Sequence, residues 1–253
     1  MNITRFFGFI PMITAVLVSL VFLSSTAAPL AAGEGFRINR PKVFLGAHIG
    51  LNAPRAGSDL FDMVTRELTL EKNDFRSAAF GFDFGVPVGS HFAAVISFNY
   101  SRATPQSESR DFVEESGDPI SQTTRFSQMP ITASLRYYPW KTGETVGSYA
   151  WIPTRVLPYV AGGAGFLHYH FSQKGSFVDR ETLAIFSTEL ISKGYSPVIH
   201  TAAGVDVSLS PLVFINGELR YSWAKANLSQ QFSGFQPIDL AGLRVIGGVY
   251  FRF

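Results

Sequence analysis

The chain has 253 residues, with 21 basic and 19 acidic side chains, a formal net charge of +2 and no cysteine. So even a balance points to neither a nucleic acid nor any other polyanion as partner. The missing thiols exclude disulfides, thiol catalysis and thiolate metal sites together.

The first stretch, MNITRFFGFIPMITAVLVSLVFLSS, has one base at Arg5, an apolar run from Phe6 to Leu23 and then the small residues STAAPLAAG. That order is the layout of a secretory signal peptide, 1–32, cut after Ala27 or Ala32. A retained membrane anchor is the alternative, although Pro11 interrupts the run. About 220 residues then remain, 33–253, within the range of one all-β domain. Nothing after the signal is apolar for long enough to make a spanning helix, while Phe (24), Tyr (9) and Gly (23) are abundant.

From there the pattern alternates with period two in eight stretches, near 42–51, 74–86, 91–102, 122–138, 157–172, 196–209, 212–225 and 239–253. Each is about long enough to cross a bilayer as a tilted strand. One parity is almost purely apolar. It reads Leu45, Ala47, Ile49, Leu51 in the first stretch, then Phe80, Phe82, Phe84, then Phe92, Ala94, Ile96, Phe98, Tyr100. The fourth gives Met129, Ile131, Ala133, Leu135, Tyr137, and the fifth Tyr159, Ala161, Leu167, Tyr169, Phe171. Ile199, Ala203, Val205, Val207 follow in the sixth, Val213, Ile215, Leu219, Tyr221, Trp223 in the seventh, and Leu243, Val245, Val249, Phe251, Phe253 in the eighth.

The other parity holds Gly, Ala, Ser, Asn and single charges instead of the Lys and Glu of a surface in water. Small and polar residues fit the narrow interior of a small barrel, and Phe, Leu and Val fit lipid outside it. The expected fold is therefore an all-β, eight-stranded, antiparallel up-and-down transmembrane barrel. Two connections, 86–90 and 209–212, are tight, and those near 52–73, 103–121, 173–195 and 226–238 are long and polar. This is the rim asymmetry of an outer-membrane barrel. The link 141–155 is long where a short turn is expected and reads as an ordered lid on the inner rim. Aromatic belts are expected from Tyr137, Trp140, Trp151, Tyr159, Phe251 and Phe253 at that rim, and from Tyr100, Tyr169, Phe171, Tyr221 and Trp223 at the outer one.

The inward parity carries Asp83, Arg136, Asp206, Glu218, Arg220 and Arg244, whose charges sum to zero. They read as a self-neutralising lumen network, with a narrow ion path as the alternative. The same rule turns His48, His91, His168, His170 and His200 inward. If Ser172 pairs with Ser196, His168 lies opposite His200, and His168, His170 and His200 are then a weak candidate for a zinc or copper site. No acid stands at a fixed spacing from them, so neither a metal nor a cofactor is assigned.

As a whole, residues 42–253 resemble the small eight-stranded OmpA/OmpX-like barrels. LPYVAGGAGFLHY is similar to a glycine-rich fifth strand of that family, and GVDVSLSPLVFINGELRYSW to its sixth-to-seventh hairpin. The ending, with Val249, Phe251 and Phe253, resembles the carboxyl-terminal assembly signal of outer-membrane barrels. The resemblance implies the cell outer membrane, reached by the general secretory route, with outer-membrane lipid, lipopolysaccharide and the barrel-assembly machinery as partners. It specifies activity poorly, since such barrels include adhesins, scaffolds, small channels and lipid enzymes. The expectation is a structural or surface-interaction protein, not an enzyme, binding an unidentified surface ligand through its long loops; a small-solute or ion channel is the alternative. A lipid A modifying enzyme is a lesser one, because His170-Phe171-Ser172 resembles the His-x-Ser of lipid A deacylases. It is set aside on the expectation that both residues face inward, away from the membrane where such a substrate lies.

Overall fold

A strand whose alternate side chains suit two different solvents gains nothing by coiling, and the chain is built almost wholly of such strands. The computed structural model describes residues 39–113, 119–147, 150–178 and 184–253, and the signal peptide expected at 1–32 lies outside them. Eight long strands form the fold: β1 (Phe44–Pro54), β2 (Ser77–Val88), β3 (Phe92–Ala103), β5 (Pro119–Tyr137), β8 (Val156–Val178), β9 (Ile185–Ser208), β10 (Val213–Trp223) and β13 (Gly242–Arg252). Every neighbouring pair is antiparallel. The last strand pairs with the first, Phe44 opposite Arg252, and β3 pairs with β5, so the eight strands close into a ring with no free edge along the membrane-crossing part. The chain is thus the expected all-β, eight-stranded antiparallel barrel.

Outside this ring lie Leu45, Ile49, Phe80, Phe82, Phe84, Ile96, Ile131, Leu135, Ile199, Leu219 and Val245, all exposed large apolar side chains. An apolar surface of that extent around a closed ring is a lipid-facing belt. No helix among the described residues is long and apolar enough to cross a membrane; the strands do the crossing.

Seven strands present the expected parity, and β8 is inverted. Phe166 and Val160 are 68% and 56% exposed, whereas Tyr169 and Phe171 are 1% and 0% exposed and Leu157, Tyr159 and Leu167 are also buried. The reason is visible in the strand itself: both parities are apolar, with Val156, Val160 and Phe166 on one and Leu157, Tyr159, Leu167, Tyr169 and Phe171 on the other. Polarity then cannot choose a face, and packing decides. Three members leave the expected belts as a result, Tyr159, Tyr169 and Phe171, and Trp151, in the 141–155 link, is buried as well. Tyr137, Trp140, Phe251 and Phe253 stay exposed at the inner rim, and Trp223 at the outer one is joined by Tyr195.

The inner rim has the two tight turns and a small hairpin, β6 (Gly143–Val146) with β7 (Ala150–Pro153), in the 141–155 link. The outer rim is more ordered than its polarity suggests. Within the connection 173–195 expected as a loop, residues 173–178 and 185–195 instead prolong β8 and β9 in one continuous ladder as far as Val178 opposite Ile185. Polar side chains on both faces erased the alternation there, but backbone pairing needs none. Residues 106–113 likewise fold back as β4 (Gln106–Val113), whose Gln106 lies opposite Thr123 of β5. Between β1 and β2 runs the helix α1 (Asp59–Glu67), and the last long connection carries two short strands, β11 (Lys225–Ala226) and β12 (Ile238–Asp239), which pair with each other.

Candidate functional site

Strand pleating aims Asp83 of β2, Arg136 of β5, and Glu218 and Arg220 of β10 at the same region of the lumen, where all four are buried. Arg136 Nη2 lies 3.1 Å from Asp83 Oδ2 and 3.5 Å from Glu218 Oε2. Arg220 donates to Glu218 Oε1 from Nε at 2.7 Å, with Nη2 also at 2.7 Å. Two tyrosines complete the shell: Tyr159 Oη donates to Glu218 Oε2 at 2.6 Å and Tyr250 Oη to Asp83 Oδ2 at 2.7 Å. The Tyr159 ring lies 4.7 Å from the Arg136 guanidinium carbon, a cation–π contact sheltered from water. Two acids and two bases therefore neutralise one another, the main condition under which buried charge is tolerated, while Asp83 Oδ1 and Arg136 Nη1 are left without a hydrogen-bond partner. His48 borders the group, with Nδ1 3.8 Å from Asp83 and Nε2 2.9 Å from Asn99.

The other two charges of the expected network stand apart from these four. Asp206 receives Tyr138 Oη at 3.0 Å and Asn216 Nδ2 at 2.7 Å, without an arginine. Arg244 lies directly across from Arg220 in the ladder, and its Nε donates to Asn52 Oδ1 at 3.3 Å. Asn52 passes the chain on to Gln128, which donates to the Leu240 carbonyl at 3.0 Å. The expectation that Asp206 pairs with a lumen arginine is corrected: two neutral donors hold it.

The histidines separate. His200 is buried in the lumen, opposite Gly163 and Ser222. With β8 inverted, His168 and His170 stand on the outward parity, and the β8–β9 register sets His168 opposite Tyr195, the rings 4.8 Å apart, instead of opposite His200. The expected triple of His168, His170 and His200 does not form, and no group of three ligating side chains that could hold a metal exists among the described residues. His91 lies at the β2–β3 turn, its Nδ1 3.0 Å from the Tyr138 carbonyl oxygen. The ground for setting the deacylase likeness aside also changes, because His170 and Ser172 fall on the outward parity and Phe171 on the inward one, with Ser172 buried. No hydrogen bond joins His170 to Ser172, and the nearby Glu189 lies opposite Lys174.

Above the charged group the lumen is filled by a feature read from the sequence only as a loop. On α1, Leu60, Phe61 and Val64 are fully buried. They sit over Phe75, Phe126, Leu167, Tyr169, Phe171, Val198, Phe232 and Ile238, one continuous apolar cluster. Phe61 meets Phe75, Phe126 and Phe171 edge-on at 5.0, 5.4 and 5.9 Å between ring centroids. The signal was present in SDLFDMVTRELTL: apolar residues at helical spacing, with acids in the first turn and a base in the last. An anchor ties this plug to the opposite connection: Arg55 Nε donates to Asp239 Oδ2 at 2.7 Å, and that bond together with the carboxylate charge holds the guanidinium above its ordinary value. Among the described residues, cavities of about 40 and 10 Å³ lie within the barrel. The larger lies at the inner rim by Phe44, Tyr138, Trp151, Asp206 and Arg252, and the smaller lies by Asn52, Gln128, Leu240 and Arg244. They share no lining residue.

No family model matches the chain, and no curated protein does. Solved outer-membrane barrels resemble it in fold. The outer membrane protein OprG of Pseudomonas aeruginosa is 13% identical with a TM-score of 0.49, over 85% of this chain and 97% of that one. Ail, the attachment invasion locus protein of Yersinia pestis, is 13% identical with a TM-score of 0.44, over 85% and 100%. Neisserial surface protein A is 13% identical with a TM-score of 0.43, over 83% and 96%.

Proposed function

We propose that the protein is an integral barrel of the bacterial outer membrane with a closed lumen, and that its role is structural or surface-interacting, without a catalytic centre. The observation that carries this reading is the double closure of the interior: an aromatic plug anchored at the outer mouth, and below it a neutral, hydrogen-bonded group of two acids and two bases. Eight strands enclose a space that side chains can fill, and here they fill it. The lipid-facing belt and the ordered outer rim supply the rest of the argument, since what stands clear of the membrane is what another molecule can reach. Val249, Phe251 and Phe253 share the outward parity of β13, the arrangement expected of a strand offered to the barrel-assembly machinery after export.

Planar-bilayer recording of the pure protein tests the closed lumen. The expected result is no steady conductance. Stable, ion-selective single-channel currents from the native chain would replace this reading with that of a small-solute or ion channel.

A further inference from the structure

Along β10 the inward residues Asn216, Glu218, Arg220 and Ser222 pass through a lumen whose charge is divided unevenly between its two ends. At the inner end Asp206, opposite Asn216, is held by neutral donors; at the outer end Arg244, opposite Arg220, is held by Asn52. The four residues from Asn216 to Arg220 set these two charges about 13 Å apart along the strand, well beyond ion-pair contact. Glu218 also acts on Arg244, but its two oxygens already receive Arg220, Arg136 and Tyr159. Two guanidinium groups thus stand side by side with one carboxylate for both, and an arginine keeps its charge inside a protein.

The smaller cavity adjoins this surplus. Arg244, Ser222, Asn52 and Gln128 give its polar wall, and Leu167 and Leu240 its apolar one. A volume of about 10 Å³ is on the scale of one water-sized sphere, which suits a monatomic ion and shuts out phosphate, sulfate or a carboxylate. No acid is among its lining residues, and the amide oxygens of Asn52 and Gln128 already accept from Arg244 and Asn52, so a cation finds no ligand there. Across the ladder from Ser222 stands His200, 3% exposed, with both ring nitrogens buried and without a hydrogen-bond partner. An imidazole carries at least one N–H in every protonation state, and a buried donor without an acceptor is rare in a native interior. Arg220 and Arg244 both act on this ring, which places it in the same electropositive part of the lumen.

We propose that the lumen beneath the plug seats one small monovalent anion of the halide class, chloride in the cell, against Arg244, with the Ser222 hydroxyl as a second donor and His200 beside it. The ion does for Arg244 what Glu218 does for Arg220: it supplies the missing negative charge where the fold provides no carboxylate. Such a resident counterion goes beyond the closed-lumen reading, because a neutral set of four side chains explains neither Arg244 nor the unpartnered His200.

Bromide, which replaces chloride and scatters anomalously, tests the seat directly. Crystals of the detergent-folded wild type grown in sodium bromide should show an anomalous peak in contact with Arg244 and Ser222, and Arg244→Met crystals should lack it. Urea unfolding of the same protein, read by heat-modifiable migration, gives a second measure in chloride and in gluconate, an anion too large for the cavity, at equal ionic strength. The wild-type unfolding equilibrium constant should be about tenfold smaller in chloride, the effect of a ligand present at about ten times its Kd. Ser222→Ala should reduce that factor to about threefold, the scale of one lost hydrogen bond. Arg244→Met should abolish it and in gluconate be no less stable than the wild type, since it removes a buried charge that has no partner there. Bromide peaks confined to the surface, which would mean an adventitious ion only, would overturn the assignment, as would equal wild-type stability in the two salts or a chloride dependence that survives in Arg244→Met. Should Arg244→Met fail to fold, the wild-type bromide map and Ser222→Ala decide. A conducting lumen would show separately in the bilayer recording and would leave the bromide peak where it is.

Discussion

Glu218→Gln removes one charge from the centre of the lumen while keeping the size of the side chain. In the native group the charges of Asp83, Arg136, Glu218 and Arg220 sum to zero, and the substitution makes the sum +1. Glu218 is the sole carboxylate on Arg220, at 2.7 Å from two of its nitrogens, and it shares Arg136 with Asp83. Arg136 keeps Asp83 at 3.1 Å, so the damage concentrates on Arg220, which is 3% exposed and gains no water in exchange. Breaking a buried pair by removing one partner costs about 3–5 kcal/mol, and the retained amide oxygen, still able to accept from Tyr159, places the expected loss near the lower figure, about 3 kcal/mol. Adding Arg220→Met restores neutrality and should recover about 2 kcal/mol of it, the coupling expected of residues in one network. Urea-induced unfolding of the detergent- or lipid-folded protein, followed by heat-modifiable migration, reads both quantities. A single variant as stable as the wild type, or a double variant no better than the single one, would refute the view that these four side chains balance one another.

Two further substitutions probe what surrounds that group. Phe61→Ala should open the plug, costing about 3–5 kcal/mol locally, because the ring is fully buried against Phe75, Phe126 and Phe171. Limited proteolysis should then cut within 55–76 while the barrel still migrates as a folded band, and equal resistance of variant and wild type would argue that α1 is held by other means. Gly46→Ala should destabilise the barrel by about 1–3 kcal/mol, since a methyl group there runs into the ring of Tyr250, its cross-strand partner, and pushes the hydroxyl off Asp83. An unfolding midpoint equal to that of the wild type would show that the ring can move aside freely.

The residues show why the barrel was readable and its contents less so. Wherever one parity is Phe, Leu or Val and the other is Gly, Ser or Asn, as in β2 and β3, two solvents are written into one strand and the inward set follows, Asp83 included. In β8 both parities are apolar, and the strand was turned inside out; three of its aromatics belong to the interior, and His168 and His170 moved outward with the inversion. Parity alone set Arg136, Glu218 and Arg220 on the buried side of their strands, but no periodicity reports which acid meets which base. Asp206 has two neutral donors because Asn216 stands opposite it in the β9–β10 ladder and Tyr138, 68 residues away in sequence, reaches it across the fold. The plug at α1 was within reach of a helical reading and was lost to the expectation that long outer connections are loose.

The unbroken ladder of β8 and β9 also fixes how far the molecule extends beyond its membrane. From Leu167, beside the top of the apolar belt, to Val178 the strand advances roughly 36 Å at about 3.3 Å per residue. A span of that order, even when tilted, exceeds the depth of a lipid headgroup layer and carries the exposed Ile185 and Phe186 past the phosphates and into the zone of surface sugars. Partners too large to penetrate a carbohydrate coat would therefore meet this hairpin first, whereas the plug and the rest of the rim stay in its shadow. Antibody access on intact cells should follow the same gradient, with a tag next to Ile185 visible under long surface polysaccharide and a tag beside α1 visible only when that polysaccharide is short.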